Sequence, residues 1–331
     1  MSCSELPSPL HKKERASDAK KRVIVISGPT ASGKTELSIR LAECINGEII
    51  SADSIQVYKG MNIGTAKANA ESRKQVPHHL IDICDLSETF NVKQFYDKTV
   101  AAIYEISSRG RVPIIVGGTG FYLHSLLYGP PQGPPASYEI RKKIEEDLSK
   151  FGIEALYERL LKVDPAYGKT ISYRDKNKVI RGLEIISLTE KRVSDFPKES
   201  QSRLLKEFDF RCWFVYFPKK MLYPRIEMRC DEIISKGFIE EVKKLKEEGL
   251  EKNPSASQSI GYRQCLDFLN SEQSDEEWEH FVREFKKASR RFGKRQFTWF
   301  RKEPLFQWID LDQYGFQKTL ELIIQDFEDC S

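Results

Sequence analysis

The residues most suited to chemistry are the glycine-rich segment 28–35, which reads GPTASGKT. Gly28 and Gly33 let the backbone curl so that successive N–H groups point inward, Lys34 adds a positive charge, and Thr35 offers a hydroxyl to a magnesium ion. The apolar run RVIVIS precedes the segment, and a helical pattern follows it, so the loop lies at the positive end of a helix. The sequence therefore predicts a phosphate-binding loop (P-loop) for a diphosphate or triphosphate, with Mg²⁺ as its metal.

An acidic side chain, Asp53, follows a second apolar strand pattern at 47–51. The carboxyl ends of parallel strands meet at one edge of a sheet, so we expect Asp53 to lie beside the P-loop and to handle an acceptor group there. The alternative is that its carboxylate only caps a turn or helix, as an Asp before a Ser does well.

Two arginines, Arg225 and Arg229, lie four residues apart on one predicted helical face, shortly after an apolar strand pattern. A guanidinium group pairs bidentately with phosphate oxygens, so the two are predicted to hold a departing diphosphate. Arg225 is preferred because it follows the strand more closely. The alternative is weak surface ion pairing with Glu227 or Asp231.

A basic helical segment lies near the end of the chain. Between residues 283 and 302 there are nine Lys or Arg and one acidic residue, Glu284. The cations recur every three to four residues opposite an apolar stripe of Phe281, Phe285, Ala288 and Phe292. Such a ladder of charge is typical of proteins that bind a nucleic-acid backbone, although a solvated charged helix is the alternative. Phe297, Trp299 and Phe300 are expected in the core rather than on a stacking surface.

The elements that must position these residues form an α/β fold. Strand patterns at 22–27, 47–51 and 112–118 alternate with helical ones, which predicts a parallel sheet covered on both faces. A proline-rich and glycine-rich break at 129–137 leads into a polar helical stretch, and FRCWFVYFP at 210–218 returns to the sheet. We predict a flexible tail at 1–21, a core formed by 22–135 and 206–331, and a helical insertion at 136–205.

The composition of the 331-residue chain is that of a globular protein, with 40% hydrophobic and 31% charged residues and a net charge of +4. No apolar run is long enough to span a bilayer, and the first 21 residues resemble no signal peptide. The seven cysteines are scattered and never in C-x-x-C spacing, which suits free thiols in a reducing cytosol. We therefore expect a cytoplasmic protein without a membrane partner.

Six segments, in chain order, resemble those of bacterial tRNA dimethylallyltransferases: GPTASGKT, SADSIQVYKGMNIGTAK, VPHHLID, IIVGGTGFYLHSLL, SIGYRQ and KRQFTWFR. The resemblance covers residues 22 to 310. It implies a P-loop nucleoside-kinase-like core with a helical insertion that clasps the tRNA anticodon stem-loop. It also implies transfer of the dimethylallyl group of dimethylallyl diphosphate to the exocyclic amine of the adenine 3′ of the anticodon, in tRNAs that read codons beginning with U.

The resemblance also implies roles for individual residues. Asp53 accepts the proton of the amine, while Thr30 and Lys34 act on the leaving group, where the guanidinium argument above also puts Arg225. Diphosphate binding falls to Gly28, Thr30, Ala31, Ser32, Gly33, Lys34 and Thr35. The positions that correspond to tRNA contacts are Asp53, Ser54, Ile55, Gln56, Thr119, Arg141, Asn177, Lys178, Val179, Ile180, Arg181, Gln258, Ser259, Ile260, Gly261, Tyr262, Arg263, Lys294, Arg295, Gln296, Phe297, Thr298, Trp299, Phe300 and Arg301. The family usually has Gln-Arg at 177–178, and lysine lacks the planar bidentate grip of arginine.

Three other functions are open to such a chain. An adenylate isopentenyltransferase would use the same core on free AMP, but a small acceptor needs neither the insertion nor the basic helix. A P-loop kinase or NTP-driven switch would transfer or hydrolyse the phosphate of ATP. A plain RNA-binding module would have no use for Asp53. We expect a monomeric enzyme with tRNA and dimethylallyl diphosphate as its partners.

Overall fold

The structure, a computed structural model, describes residues 20–197 and 203–329. The chain divides into two compact units, one of Met1–Leu127 with Ser202–Ser331 and the other of Tyr128–Gln201. Most of the predicted tail at 1–21 lies outside the described residues, but Lys21 already begins the first strand. Among the described residues, no helix combines the length and hydropathy that crossing a bilayer requires.

The first unit is built on a six-stranded sheet in which every pairing is parallel. Its strands are β1 (Lys21–Ser27), β2 (Gly47–Ser51), β3 (His78–His79), β4 (Val112–Val116), β5 (Phe208–Tyr216) and β6 (Phe306–Asp310). Their order across the sheet is β3-β2-β4-β1-β5-β6. The predicted α/β fold is thus confirmed. The sequence patterns did not indicate β3 or β6, which are the strands at the two edges.

The α-helices follow in chain order. They are α1 (Lys34–Ile45), α2 (Ala70–Gln75), α3 (Val92–Ser108), α4 (Gly120–Tyr128), α5 (Tyr138–Val163), α6 (Pro165–Gly168), α7 (Lys176–Thr189), α8 (Arg203–Glu207), α9 (Lys219–Ser235), α10 (Phe238–Glu247), α11 (Pro254–Ser257), α12 (Tyr262–Leu269), α13 (Asp275–Phe300) and α14 (Leu311–Glu328). Short 3₁₀ helices occupy Val193–Asp195 and Leu250–Lys252.

The sheet is buried because helices pack against it. On β1, the side chains of Ile24 and Ile26 pack with Leu37 and Leu41 of α1 and with residues of α14. The alternate β1 side chains, Val23 and Val25, are also fully buried, and the pleat directs them to the opposite face. A strand with apolar residues at every position is the pattern expected of a parallel sheet that is covered on both sides.

The second unit is a helical subdomain with its own core. Ile144, Leu156 and Leu160 of α5 pack with Val179, Ile180 and Leu183 of α7. It begins at Tyr128 rather than at the predicted residue 136, because the proline-rich segment is tied to α7: Ser137 N–H donates to Glu184 Oε1 at 2.7 Å, and Arg181 donates to the Pro134 carbonyl. At its other end, α8 belongs to the first unit, so the predicted boundary at 205 moves to 201.

Candidate active site

The P-loop joins β1 to α1 and has the backbone geometry that its glycines allow. A Cβ atom at Gly28 would lie 2.1 Å from the Val215 carbonyl oxygen of β5, so only glycine fits there. Gly33 takes a left-handed conformation, with φ of 86°, directly before α1 begins. Residues 30–36 line a cavity of about 280 Å³, here called the P-loop cavity. The loop therefore encloses a space at the positive end of α1.

Two side chains of the loop are suited to anion binding. The Ser32 hydroxyl is fully buried at the cavity and has no hydrogen-bond partner among the described residues. The Lys34 ammonium donates to the Pro29 carbonyl at 2.7 Å. The pKa of Lys34 is lowered to about 7, chiefly by burial and also by the nearby Arg229 guanidinium, while the Asp53 carboxylate acts in the opposite direction. An anion in the cavity would satisfy Ser32 and stabilise the charged form of Lys34.

Asp53 lies beyond the carboxyl end of β2, at the same sheet edge as the P-loop. Its Oδ1 accepts the backbone N–H of Ile55 at 2.8 Å and that of Gln56 at 3.2 Å, so the carboxylate does cap a turn. The same side chain borders the P-loop cavity. Asp53 can therefore serve both as the turn cap and as an acid or base, because the turn uses only one of its oxygens.

A second cavity of about 360 Å³ adjoins the first, and we call it the acceptor cavity. The two cavities share five lining residues, which are Thr30, Asp53, Thr65, Arg229 and Phe292. The remaining wall of the acceptor cavity mixes apolar and polar side chains. Asp53 and Arg229 thus stand between the phosphate-binding loop and a pocket that is large enough for a planar base and a short apolar chain.

The structure favours Arg229 over the preferred Arg225 as the arginine of the site. Arg229 lines both cavities, and burial lowers the pKa of its guanidinium, against the opposing effect of Asp53. Arg225 is exposed, lies 4.4 Å from the centre of the Phe217 ring, and donates through Nε to the Ala31 carbonyl at 3.2 Å. The preference for Arg225 was wrong because it relied on the short sequence distance between this residue and the strand. The rotation of α9 about its axis determines which of its residues faces the cavity.

The acids proposed as alternative partners of these arginines have other partners. Glu227 and Asp231 of α9 pair with Arg290 and Lys286 of α13. The ion pairs join two helices that pack side by side. They leave Arg225 and Arg229 available to the P-loop side of α9.

Thr35 is the predicted metal-binding residue. It lines the P-loop cavity at the start of α1 and is exposed. Within residues 20–197 and 203–329, no three His, Cys, Asp or Glu side chains are grouped so as to hold a metal by themselves. This donor set fits Mg²⁺ bound mainly through diphosphate oxygens and water, with one hydroxyl from the protein.

The comparisons with known proteins show the family of the chain. A model of the family described as IPP transferase matches residues 56–303. A tRNA dimethylallyltransferase of Protochlamydia amoebophila is 53% identical over 309 residues, which are 93% of this chain and 90% of that protein. The chain belongs to the IPP transferase family. A tRNA dimethylallyltransferase of Chlamydia pneumoniae is 46% identical over 288 residues, covering 87% of this chain and 84% of the relative.

Solved structures of other IPP transferases share the fold. The tRNA isopentenylpyrophosphate transferase of Bacillus halodurans is 37% identical, covers 93% of this chain and 97% of its own, and has a TM-score of 0.67. A eukaryotic dimethylallyltransferase acting on tRNA is 29% identical, covers 93% of this chain and 79% of its own, and has a TM-score of 0.76. The family resemblance inferred from the six motifs is therefore confirmed, and these relatives are named for tRNA.

The segments that match tRNA-contacting positions divide into exposed and buried residues. In this IPP transferase, Ser54, Ile55 and Thr119 line the acceptor cavity, whereas Gln56 lines the P-loop cavity. Gln258, Ser259, Ile260 and Tyr262 also line the acceptor cavity, Gly261 is buried, and Arg263 is exposed. Tyr262 is 1% exposed, so its side chain belongs to the cavity wall and the core rather than to an outer surface.

The segment 294–301 lies at the end of α13, and the helix sorts it by face. Lys294, Arg295, Thr298, Trp299 and Arg301 are exposed, so the expectation of a core position was wrong for Trp299. Gln296, Phe297 and Phe300 are buried, which corrects their assignment to direct side-chain contact with RNA. The two phenylalanines pack around Phe214 of β5, as expected for core residues.

Gln296 has a structural role that the motif did not reveal. Its side-chain oxygen accepts the Thr30 N–H at 2.9 Å, and its side-chain nitrogen donates to the Gly118 carbonyl at 3.1 Å. It thereby fastens the P-loop to the segment after β4. Nothing in the sequence around this glutamine indicates that its side chain connects two distant segments.

The apolar stripe of α13 differs in part from the prediction. Phe281 and Phe285 are buried as expected, but Ala288 and Phe292 are only partly buried. Phe292 instead lines both cavities, and Ser289 and Gly293 take the buried positions against α9. Thr65, in the GTAK part of the second family motif, is another cavity residue that we had not singled out. Neither residue type carries chemistry that a pattern would reveal.

The helical unit has its own predicted tRNA contacts. Asn177 and Lys178 are exposed at the start of α7, but Val179 and Ile180 are core residues, which corrects their assignment to RNA contact. Arg141 and Arg181 both pair with Glu184, at 3.2 Å and 2.7 Å. Those two pairs hold the guanidinium groups in a fixed orientation within this unit.

Proposed function

We propose that this IPP transferase moves the dimethylallyl group from dimethylallyl diphosphate to the exocyclic amine of the adenine 3′ of the anticodon, in tRNAs that read U-initial codons, and releases pyrophosphate. The observation that carries the proposal is the junction of the two cavities. One side of Asp53 and Arg229 is a phosphate-binding loop, and the other side is a pocket of suitable size for an extruded base.

The donor side supports the departure of the diphosphate. An allylic carbon–oxygen bond breaks as negative charge accumulates on the pyrophosphate. The loop N–H groups, the Ser32 hydroxyl, Lys34 and Arg229 lie around one cavity, where they would stabilise that charge. Thr30 borders both cavities, so its hydroxyl is suited to the bridging region between the diphosphate and the allyl group. Arg225 would act indirectly, by holding the Ala31 carbonyl.

The acceptor side requires a base. An exocyclic amine on adenine is a weak nucleophile, and it becomes a good one only as its proton is removed. The turn occupies Oδ1 of Asp53, and Oδ2 would take the proton of the amine while the new carbon–nitrogen bond forms. Ser54, Ile55 and Thr119, which line the same cavity, would orient the base.

We also propose that Mg²⁺ binds with the diphosphate, with Thr35 as the protein ligand. When bound, the ion neutralises part of the charge of the leaving group. The protein itself orients the diphosphate through the loop N–H groups and Lys34.

The exposed cations near the end of α13 suit a tRNA backbone. Arg291, Lys294 and Arg301 make no ion pair with any described residue, unlike Lys286 and Arg290. Exposed Trp299 lies among them and offers a stacking surface. Of the helical unit, Asn177 and Lys178 are proposed contacts to the anticodon stem-loop. The buried thiols of Cys84, Cys212, Cys230 and Cys265 suit a reducing cytoplasm, and we propose that the enzyme works there as a monomer.

The test is mass spectrometry of tRNA after incubation with the protein, dimethylallyl diphosphate and Mg²⁺. We expect one adenosine beside the anticodon to gain a C₅H₈ unit, with one pyrophosphate released for each. Free AMP and an anticodon stem-loop are offered in competition. Prenylation of AMP alone, or phosphoryl transfer from ATP without use of dimethylallyl diphosphate, would contradict the proposal.

A further inference from the structure

A partly buried hydrogen-bond network beside the acceptor cavity is centred on Glu241 of α10. Its carboxylate accepts the backbone N–H groups of Asn62 at 2.9 Å, Ile63 at 2.6 Å and Gly64 at 3.1 Å, and the Tyr262 hydroxyl at 2.7 Å. Both oxygens are used, and a carboxylate has about four lone-pair positions in all. All four of the hydrogen bonds that Glu241 accepts here therefore come from one loop and one tyrosine.

A cation, Lys67, also contacts this loop. The ammonium of Lys67, whose side chain is 2% exposed, donates to the Tyr58 carbonyl at 2.5 Å, to Asp82 Oδ1 at 2.7 Å and to Asn62 Oδ1 at 3.3 Å. The Glu241 carboxylate thus binds three N–H groups of the loop, and the Lys67 ammonium binds the Asn62 side chain of the loop together with two oxygens outside it, those of Tyr58 and Asp82. We call residues 61–65 the clamped loop.

The clamped loop also has little room to move. A Cβ atom at Gly64 would lie 2.3 Å from the Phe238 ring and 2.6 Å from the Tyr262 ring. Phe238 and Tyr262 pack edge to face with centroids 5.1 Å apart. The loop therefore packs directly against two rings, and a small displacement of it would have to move them as well.

The clamped loop reaches the reaction site through Thr65, which lines both cavities. The Thr65 carbonyl accepts Gln56 Nε2 at 3.3 Å, and the Gln56 N–H donates to Asp53 Oδ1 at 3.2 Å. Glu241 is therefore connected to the proposed base by three hydrogen bonds, linked through the Gly64–Thr65 peptide and through the residue Gln56. Glu241 itself is not a lining residue of either cavity.

We propose that Glu241 is a positioning residue for prenyl transfer, which fixes the clamped loop so that Thr65 and Asp53 face the two cavities in the reactive geometry. The inference rests on the proposed function of the site. It differs from a purely structural role because the effect is local to the acceptor side. The P-loop, whose Gly28 and Gly33 belong to another part of the chain, keeps its shape without Glu241.

The test compares Glu241→Gln with Glu240→Gln. Glu240 is the exposed neighbour on the same helix, so it controls for the loss of one charge. In Glu241→Gln an amide NH₂ replaces one oxygen and faces backbone donors, so some loop N–H groups lose their acceptor. We expect kcat/KM for tRNA to fall about 10- to 100-fold, as for a displacement near 1 Å, with the pyrophosphate Kd within about twofold of wild type. Glu240→Gln should behave as wild type.

A second measurement reads the loop directly. Hydrogen–deuterium exchange of a peptide covering 61–65 should accelerate in Glu241→Gln, while the P-loop peptide should exchange as in wild type. Glu241→Asp keeps the charge on a side chain shorter by one methylene, and should recover part of the activity and of the protection.

Three outcomes would overturn the inference. The first is unchanged tRNA turnover in Glu241→Gln. The other two are faster exchange in the P-loop peptide and loss of pyrophosphate binding, either of which would make Glu241 a general scaffold residue. A failure of the proposed function would give a different result, because the wild-type protein itself would then leave tRNA unmodified. The exchange and pyrophosphate-binding measurements do not depend on turnover, so they test the role of Glu241 in either case.

Discussion

Asp53 allows its two roles to be separated by substitution. Asn keeps a side-chain oxygen that can accept the Ile55 and Gln56 N–H groups, but it has no carboxylate to take a proton. Ala loses both the hydrogen bonds and the carboxylate. If the turn uses only Oδ1, Asp53→Asn should preserve the fold and remove the base, whereas Asp53→Ala should affect both.

The magnitudes follow from these contacts. Loss of a capping side chain costs about 0.5–2 kcal/mol, so Asp53→Ala should lower the free energy of unfolding by about 1–2 kcal/mol. Asp53→Asn should change it by no more than about 0.5 kcal/mol. A general base contributes roughly 10²- to 10⁴-fold to the rate, so both variants should lose about 3–5 kcal/mol of transition-state stabilisation.

The assay is single-turnover transfer of a labelled dimethylallyl group to an anticodon stem-loop, with urea unfolding and tRNA binding measured on the same preparations. We expect tRNA affinity within about threefold of wild type in Asp53→Asn, because the base role concerns the reaction rather than docking. Wild-type turnover in Asp53→Asn would refute the base assignment. Equal destabilisation by Asn and Ala would refute the account of the turn.

Three further predictions concern the donor side. Gln296→Ala leaves the Thr30 N–H without its partner and should lower the free energy of unfolding by about 2–4 kcal/mol in urea titrations. Arg229→Gln should weaken pyrophosphate binding about 10- to 100-fold by calorimetry, and Arg225→Gln less than about fivefold, since buried charged hydrogen bonds are worth more than exposed ones. Because the pKa of Lys34 is about 7 and only its charged form pairs with phosphate, pyrophosphate binding should take up a proton above pH 7, and the Lys34 contribution to affinity should fall as pH rises.

Each of these has its own contrary result. Loss of tRNA affinity with unchanged stability in Gln296→Ala would mean that the glutamine contacts RNA after all. Equal effects at Arg225 and Arg229 would contradict the placement of the two guanidinium groups. For the lysine, Lys34→Arg is the control, because arginine stays charged. A pH dependence of pyrophosphate affinity that is the same in both proteins would belong to the ligand alone.

Local sequence patterns were sufficient to predict the structure where the interacting residues are close together in the sequence. β1, the P-loop and α1 are consecutive, and the glycine positions, the lysine and the threonine follow directly from the conformations that a phosphate-binding loop needs. The parallel sheet was predictable for the same reason, since alternating strand and helix patterns leave few other arrangements. The edge strands β3 and β6 were missed, because β3 has only two residues and β6 lies between two long helices whose patterns dominate that part of the sequence.

The position of Asp53 was predictable from topology alone. Parallel strands with helical crossovers end at a common edge, so an acid after β2 had to approach a loop after β1. That it also caps a turn was one of two readings of the sequence, and the structure shows that the two are compatible.

The sequence by itself determined the glycine-rich loop between β1 and α1, the sheet and the family, because each depends on local conformation or on the order of motifs along the chain. Only the tertiary structure decided that Arg229 rather than Arg225 faces the cavities, that Gln296 fastens the P-loop, and that Glu241 holds a loop 177–179 positions away. These choices depend on the rotation of packed helices and on contacts between distant segments. Neither the rotation of a helix nor a contact between distant segments can be predicted from residue types and their spacing.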